Sequence, residues 1–370
     1  MSCQPGAHID EIDTPALIVD LDTMEANITA MADLARRHGV ALRAHAKGHK
    51  VPDLAWRQVR AGAVGIACQK LSEAEVMAGA GLPDILIPYP IIGPIKIRRL
   101  LDLARRTHLT TVVDSLEGAG PISEAAVAAG MAIDTMLEVD SGYHRCGVSP
   151  DDALGIAQTI ARDLPGLRFR GVMAYEGHVY GLERPDDVVR AARASYDVLG
   201  AVADRLRDAG LPVECVSAGS SVSAEAAAAH PAITELRAGG YVFNDRSVVL
   251  LGGATQQQCS LTVLSTVVSK RGTDHVVIDA GSKALSLATL SMVPGFGLLL
   301  GHEDAVLRKL ADEHGMIAVP EGARPFSIGE RVRIIPNEHA TVVTQFPELV
   351  GVRGDRVECV WPIAARGLMQ

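Results

Sequence analysis

The sequence predicts a (β/α)8 TIM-type barrel followed by a second, mostly β C-terminal domain. Three observations predict it. Strand-like and helix-like segments alternate from about residue 40 to 242. Several of those strand segments are apolar at consecutive positions, as strands covered on both faces should be. Beyond about residue 255 the long helical patterns stop and short strands separated by turns take over.

The barrel strands are expected, in order, at 40–46 (VALRAHA), 64–70 (VGIACQK), 84–90 (DILIPYP), 109–115 (LTTVVDS), 134–140 (DTMLEVD), 169–177 (FRGVMAYEG), 212–219 (PVECVSAG) and 233–242 (ITELRAGGYV). Helical spacing first appears over 23–38, where Met24, Ile28, Met31 and Leu34 recur on one face. Asp22 is the expected N-cap and Gly39 the stop. Further helices are expected near 72–80, 93–106, 118–129, 151–163 and 186–209. ALIVDL, 16–21, reads as a lead-in strand. Residues 14–254 are expected to form the barrel and 255–370 the β domain, joined by residues 1–13, with the crossing between Arg246 and Gln257. One helical turn is expected near 304–312. An open doubly wound sheet is the rival, but no GxGxxG follows the first strand.

Composition narrows the function classes. Hydrophobic residues make up 48% and aromatics only 4%, so the core is aliphatic. A net charge of −9 argues against nucleic acid as a partner. The N-terminus has no signal-peptide pattern, and no apolar run is long enough to span a bilayer. The 6 cysteines have no CxxC spacing, so neither a zinc site nor a disulfide framework is expected. These features fit a soluble cytoplasmic protein with no membrane partner.

A barrel collects functional residues at the C-terminal ends of its strands. His45, Lys47 and His49 follow the first strand here, and Gln69 and Lys70 the second. Asp140, His144 and Arg145 follow the fifth; Tyr175, Glu176 and His178 follow the sixth. SAGSS (217–221) and AGGY (238–241) close the seventh and eighth, where phosphate sites commonly form. A phosphate cradle with a strand-end lysine suggests pyridoxal 5′-phosphate, joined to Lys47 as an imine. His45 and Gln69 are candidate cofactor neighbours. A metal pair on His45 and His49, as in a metal-dependent hydrolase, stays open.

RAHAKGHK, CQKLSEAE, EVDSGYHRCGV, SAGSS, ELRAGGYVFND, VIDAGSKALS and DEHG carry a resemblance. The chain resembles the D-threonine aldolase and D-serine dehydratase family of pyridoxal-phosphate enzymes, built on the alanine racemase type of fold. The resemblance implies that Lys47 is the Schiff-base lysine and that Arg145 faces the cofactor's phenolic oxygen, with Asp140 and His144 nearby. It implies that Tyr175 lines the pocket and that Gly219, Ser220, Gly240 and Tyr241 hold the phosphate. It also implies a head-to-tail homodimer, with Asp279 and Lys283 near the substrate or the interface. The family's C-terminal metal motif is altered here to PNEHATVV, 336–343. The expectation is a weakened, water-rich Mn²⁺ or Mg²⁺ site on His339 and Glu338.

The reaction this resemblance implies is retro-aldol cleavage of a small β-hydroxy-D-amino acid, giving glycine and an aldehyde, with a metal-bound hydroxide or a histidine such as His178 or His339 as base. Dehydration of D-serine or 3-hydroxyaspartate is the alternative, and racemisation a third. A non-catalytic pyridoxal-phosphate carrier would need no second domain. The YEGH stretch, with Glu176 and His178, is expected to set substrate choice.

Overall fold

The computed structural model describes residues 4–370. Met1 to Cys3, which include the first of the 6 cysteines and the start of the expected joining segment, lie outside the described residues. The chain divides into two compact units. One holds Ala30–Gly239 with Leu368–Gln370; the other holds the residues up to Thr29 with Gly240–Gly367.

The second unit's sheet takes the first strand of the chain, β1 (Ala16–Asp20). The first unit is a closed parallel barrel of β2 (Ala41–His45), β3 (Gly65–Ala67), β4 (Asp84–Pro90), β5 (His108–Val113), β6 (Ile133–Glu138), β7 (Leu167–Met173), β8 (Cys215–Ala218) and β9 (Glu235–Leu236). Closure is made by β9 pairing with β2, Glu235 opposite Ala41 and Leu236 opposite Leu42. Ala67, Leu86, Val112, Met136 and Met173, one from each of five neighbouring strands, pack into one buried cluster. All eight expected strands are present, and all but β4 stop short of their expected C-terminal ends. The polar residues expected there leave the ladder and become loop, which frees them for chemistry.

Helices connect the strands much as the spacing predicts, with additions at Ala224–Ala228 and Pro52–Arg60. The proline of the latter occupies the first turn, where no N–H is needed. The first helix begins at Leu21, two residues earlier than expected. Its first-turn N–H partner is Asp20, which accepts from Thr23 N at 2.9 Å, and not Asp22.

The sheet unit continues with β10 (Leu261–Arg271), β11 (His275–Ile278), β12 (Gly297–Leu299), β13 (Val306–Leu310), β14 (Gly315–Ala318), β15 (Arg331–Pro336), β16 (Glu348–Arg353) and β17 (Arg356–Pro362). The main path runs β13-β14-β11-β10-β1-β16-β17, with β15 pairing β10 and β12. β1 is therefore not a lead-in to the barrel. It lies antiparallel to β10 and parallel to β16, and Ile18 packs with Leu264, Val350 and Val352. The expected start of the barrel domain at residue 14 is corrected accordingly. The crossing also falls earlier, at Gly240, because Asp245 and Ser247 bond to the 337–339 segment. The turn expected near 304–312 is strand β13; its backbone pairs with β14 from Val306 to Leu310. No described helix is long and apolar enough to cross a membrane.

Candidate active site

Because the barrel strands are parallel, the loops after β2, β3, β6, β7 and β8 leave from one end. Lys47 sits in the short 3-10 turn Ala46–Gly48 directly after β2. Its ammonium lies over the Tyr175 ring, 5.6 Å from the centroid. The Arg145 guanidinium lies over the same ring at 4.8 Å and over Tyr143 at 5.3 Å. Tyr143 and Tyr175 meet edge to face at 5.6 Å. The structure thus gathers Lys47, Arg145 and Tyr175, as expected, and adds Tyr143.

The other lysines considered have different surroundings. Lys50 is buried and its ammonium is paired with Glu73. Lys70 stacks on Tyr89, 3.8 Å from the ring centroid. Lys283 is exposed and bonds Glu313 at 2.6 Å.

His45 is the best-defined polar group in the barrel mouth. Its Nδ1 accepts the Lys47 N–H at 3.3 Å, so its proton sits on Nε2, which donates to Gln69 Oε1 at 3.2 Å. Burial, then Lys47 and Arg237, push its pKa well below the usual histidine range, so the ring stays neutral. His49 is committed as well: Nδ1 accepts Val51 N–H at 3.1 Å and Nε2 meets Gln58 Oε1 at 3.1 Å. All four ring nitrogens already have protein partners, which removes the metal pair.

Electrostatics around Tyr175 keep charges in fixed forms. Burial, with Glu176 next, pushes the Tyr175 phenol up to about 12, so it stays protonated. Burial raises the Glu138 carboxyl; Arg145, whose guanidinium is 3.9 Å away, opposes the rise. Asp140 accepts the N–H groups of Gly142 and His144, and its other oxygen meets the His144 ring at 2.7 Å. Burial works against the Asp140 carboxylate, but these bonds hold it below the usual range. The exposed His144 therefore shapes the loop that presents Arg145.

Arg237, just past β9, was not singled out in the sequence. It is 5% exposed and donates to Ser217 Oγ at 2.6 Å and Ala174 O at 2.7 Å. Ser217 donates to Glu235, which also accepts from Arg43. The polar–apolar alternation Glu235-Leu236-Arg237 is the signal that could have found it.

The loops after β7 and β8 meet in the barrel. Glu176 is fully buried and accepts from Ser223 Oγ at 2.6 Å, so it faces the turn after β8 and not an open cleft. The expectation that it sets substrate choice is corrected. His178 lies against Tyr143, and its Nδ1 is buried with no hydrogen-bond partner. Gly219 has φ +95°, and an added Cβ would come within 2.5 Å of Leu236 and 2.9 Å of Ala227. At Gly239 a Cβ would meet the His45 backbone oxygen at 2.6 Å. Both turns need glycine where the expectation puts phosphate.

Comparison with known proteins gives the family. The model for the alanine racemase N-terminal domain matches residues 19–247, and that for a putative serine dehydratase domain matches 260–352. A D-threonine aldolase of Arthrobacter sp is 39% identical over 367 residues, 98% of this chain and 95% of the relative. The chain belongs to the D-threonine aldolase and D-serine dehydratase family. The solved D-threonine aldolase of Filomicrobium marinum superposes with a TM-score of 0.93 at 34% identity, covering 100% of both chains. D-threo-3-hydroxyaspartate dehydratase from Delftia sp. HT23 gives 0.89 at 33% identity, covering 96% of this chain and 98% of that one. Members of this family are lyases of D-amino acids, the enzyme class expected for this chain, and pyridoxal phosphate is the cofactor expected of the family.

The barrel residues fit that cofactor. A lysine at a strand end, two glycine-dependent turns and a buried, unpartnered Ser221 hydroxyl supply the needed donor set. The metal pair expected for the family does not fit. In the sheet unit His339 is buried, and both its backbone N–H (2.9 Å) and its Nδ1 (2.7 Å) meet Asp245 Oδ2. Glu338 is exposed and, among the described residues, bonds its own helical turn through Thr341. Among the described residues no three His, Cys, Asp or Glu side chains converge on a metal position. Asp279 is likewise turned into its sheet, accepting from Thr14, Ser265 and Thr266, which leaves Lys283 as the exposed member of that motif. Tyr241 is buried in the turn Gly240–Val242, at the start of the sheet unit.

Proposed function

We propose that the chain is a pyridoxal-phosphate lyase that cleaves β-hydroxy-D-amino acids between Cα and Cβ, releasing glycine and an aldehyde. The observation that carries the reading is the choice among lysines. Lys47 stands over Tyr175 beside Arg145, whereas Lys50 is locked to Glu73. When bound, pyridoxal phosphate supplies an electron sink for a carbanion at Cα.

The chain's own residues do the rest. Lys47 would hold the cofactor through its side-chain nitrogen. Arg145 keeps its charge and supplies N–H donors to an oxyanion. The neutral His45 turns Nε2–H to Gln69 and accepts the Lys47 N–H, which fixes the turn carrying that lysine. His178 takes the proton of the substrate β-hydroxyl, a role supported by its buried, unpartnered Nδ1. Gly219 and Ser220 hold the phosphate; Gly240 and Tyr241 are assigned to it by resemblance alone. His339 bonds Asp245 and is not used as a base. A head-to-tail dimer remains part of the proposal, to be checked by sedimentation.

Incubation with D-threonine, D-phenylserine and D-serine, with and without EDTA, tests the reading. Glycine with acetaldehyde or benzaldehyde is the expected outcome. Pyruvate and ammonia from D-serine, with no glycine from D-threonine, would favour the second reading, dehydration, which the likeness to the Delftia dehydratase supports.

A further inference from the structure

The turn after β8 rests on a chain of hydroxyls that ends at a carboxylate. Ser223 donates its hydroxyl proton to Glu176 Oε1 at 2.6 Å. A serine hydroxyl has one proton and two lone pairs. Ser223 Oγ can therefore only accept from its other neighbours, Ser220 N at 3.0 Å and Ser220 Oγ at 2.9 Å. Ser220 must be the donor of the second bond. Both donors of Ser220, N–H and O–H, then point inward, and its hydroxyl offers only lone pairs to an incoming ligand. A phosphate dianion only accepts hydrogen bonds, so this polarity opposes it.

Glu176 is placed to relieve that conflict. It is 0% exposed, and Oε2 has no hydrogen-bond partner. Its ionisable neighbours are phenols. Tyr175, adjacent in the chain, is raised by burial and then by Glu176. Tyr196, from the helix Pro185–Asp208, is also raised by burial and then by Glu176, and its phenol interacts with both Ser223 and Glu176. Arg237 is bonded to Ala174 and Ser217, and Arg145 lies on the far ring of Tyr175; neither pairs with Glu176. A buried carboxylate surrounded by hydroxyls and phenols, with no cation, gains from protonation when a second negative charge approaches.

We propose that Glu176 takes up one proton from solvent when a phosphate monoester dianion settles on the Gly219–Ser220 turn. The proposal rests on the reading of that turn as the phosphate site. With the proton on Glu176 the chain reverses. Glu176 donates to Ser223, Ser223 donates to Ser220, and Ser220 O–H is released to a phosphate oxygen. Ser223 still accepts the Ser220 N–H, so every donor keeps an acceptor.

The test uses the full chain freed of cofactor, with pyridoxine 5′-phosphate as ligand. Its alcohol replaces the aldehyde, so it forms no bond to lysine. Calorimetric titration near pH 8, in two buffers of different ionisation enthalpy, counts the protons taken up. The quantity read is the difference between wild type and Glu176→Gln, whose amide N–H donates to Ser223 without any proton. About one more proton per site is expected in wild type. Its affinity should fall about tenfold per pH unit relative to the glutamine variant as pH rises. Ser223→Ala should also abolish the difference, and serves if Glu176→Gln misfolds. Equal proton uptake in wild type and variants overturns the proposal. Ser220→Ala separates it from its premise: about tenfold weaker binding keeps the phosphate turn, whereas unchanged affinity, or no binding by wild type, overturns turn and proposal together.

Discussion

Replacing Lys50 by Met tests why the barrel uses Lys47. Lys50 and Glu73 are ion-paired, with side chains only 6% and 4% exposed. Methionine keeps most of the stem volume and removes the charge. Glu73 then remains buried with the N–H groups of Gln69 at 2.8 Å and Lys70 at 3.3 Å as its partners. Breaking one side of a buried pair typically costs about 3–5 kcal/mol. The two N–H bonds compensate in part, so about 3 kcal/mol is the expected loss. For a domain of this size that corresponds to a fall in melting temperature of roughly 6–12 °C. Lys50→Met/Glu73→Gln should recover at least half of it, since glutamine leaves no unpaired charge and keeps an acceptor for Gln69 N–H. Thermal unfolding followed by circular dichroism reads both values. A fall below about 2 °C for the single variant would refute the reasoning, because a desolvated carboxylate cannot lose its cation that cheaply.

Arg145→Leu should shift the pH dependence of the cofactor's visible band and leave melting close to wild type, since the guanidinium is 44% exposed and 3.9 Å from Glu138; an unchanged titration removes it from the site. His108 bridges Asp84 and Asp134 at 2.9 and 3.0 Å, and despite its burial those bonds raise its pKa. Its stabilisation is full below the unfolded histidine value and is lost as pH rises through the raised folded one; with the ring half exposed it is worth about 0.5–1 kcal/mol, and His108→Asn should flatten that slope in urea titrations. His339→Ala should cost about 2–3 kcal/mol, because Asp245 is buried and His339 holds it below the usual aspartate range against its burial. Glu338→Ala, on the surface, should stay within about 0.5 kcal/mol by denaturant midpoint.

The barrel was legible because its strands are apolar runs at regular spacing, a local property. Lys47, Arg145 and Tyr175 were legible for the same reason, each lying just beyond a strand end. Strand β1 was not, since Leu17, Ile18 and Val19 would suit either structure, and only pairing with β10 and β16 decides between them. The helix Pro52–Arg60 was hidden by its length and its short apolar face, of which Leu54 and Ala55 are buried. Networks closed over long sequence separations were beyond reach. Glu176 finds Ser223 across 47 residues, and Asp245 finds His339 across 94. The altered PNEHATVV motif was visible as an anomaly, but the partner that occupies His339 was not. A buried histidine reads the same in sequence whether it serves a metal or an aspartate.

The central claim is that Lys47 carries the cofactor. Borohydride reduction of the holoenzyme, followed by peptide mapping, measures it directly. The account predicts one pyridoxyl group per chain, on Lys47, with none in Lys47→Ala. A pyridoxyl group on Lys50, Lys70 or Lys283, or labelling that persists in Lys47→Ala, would contradict it.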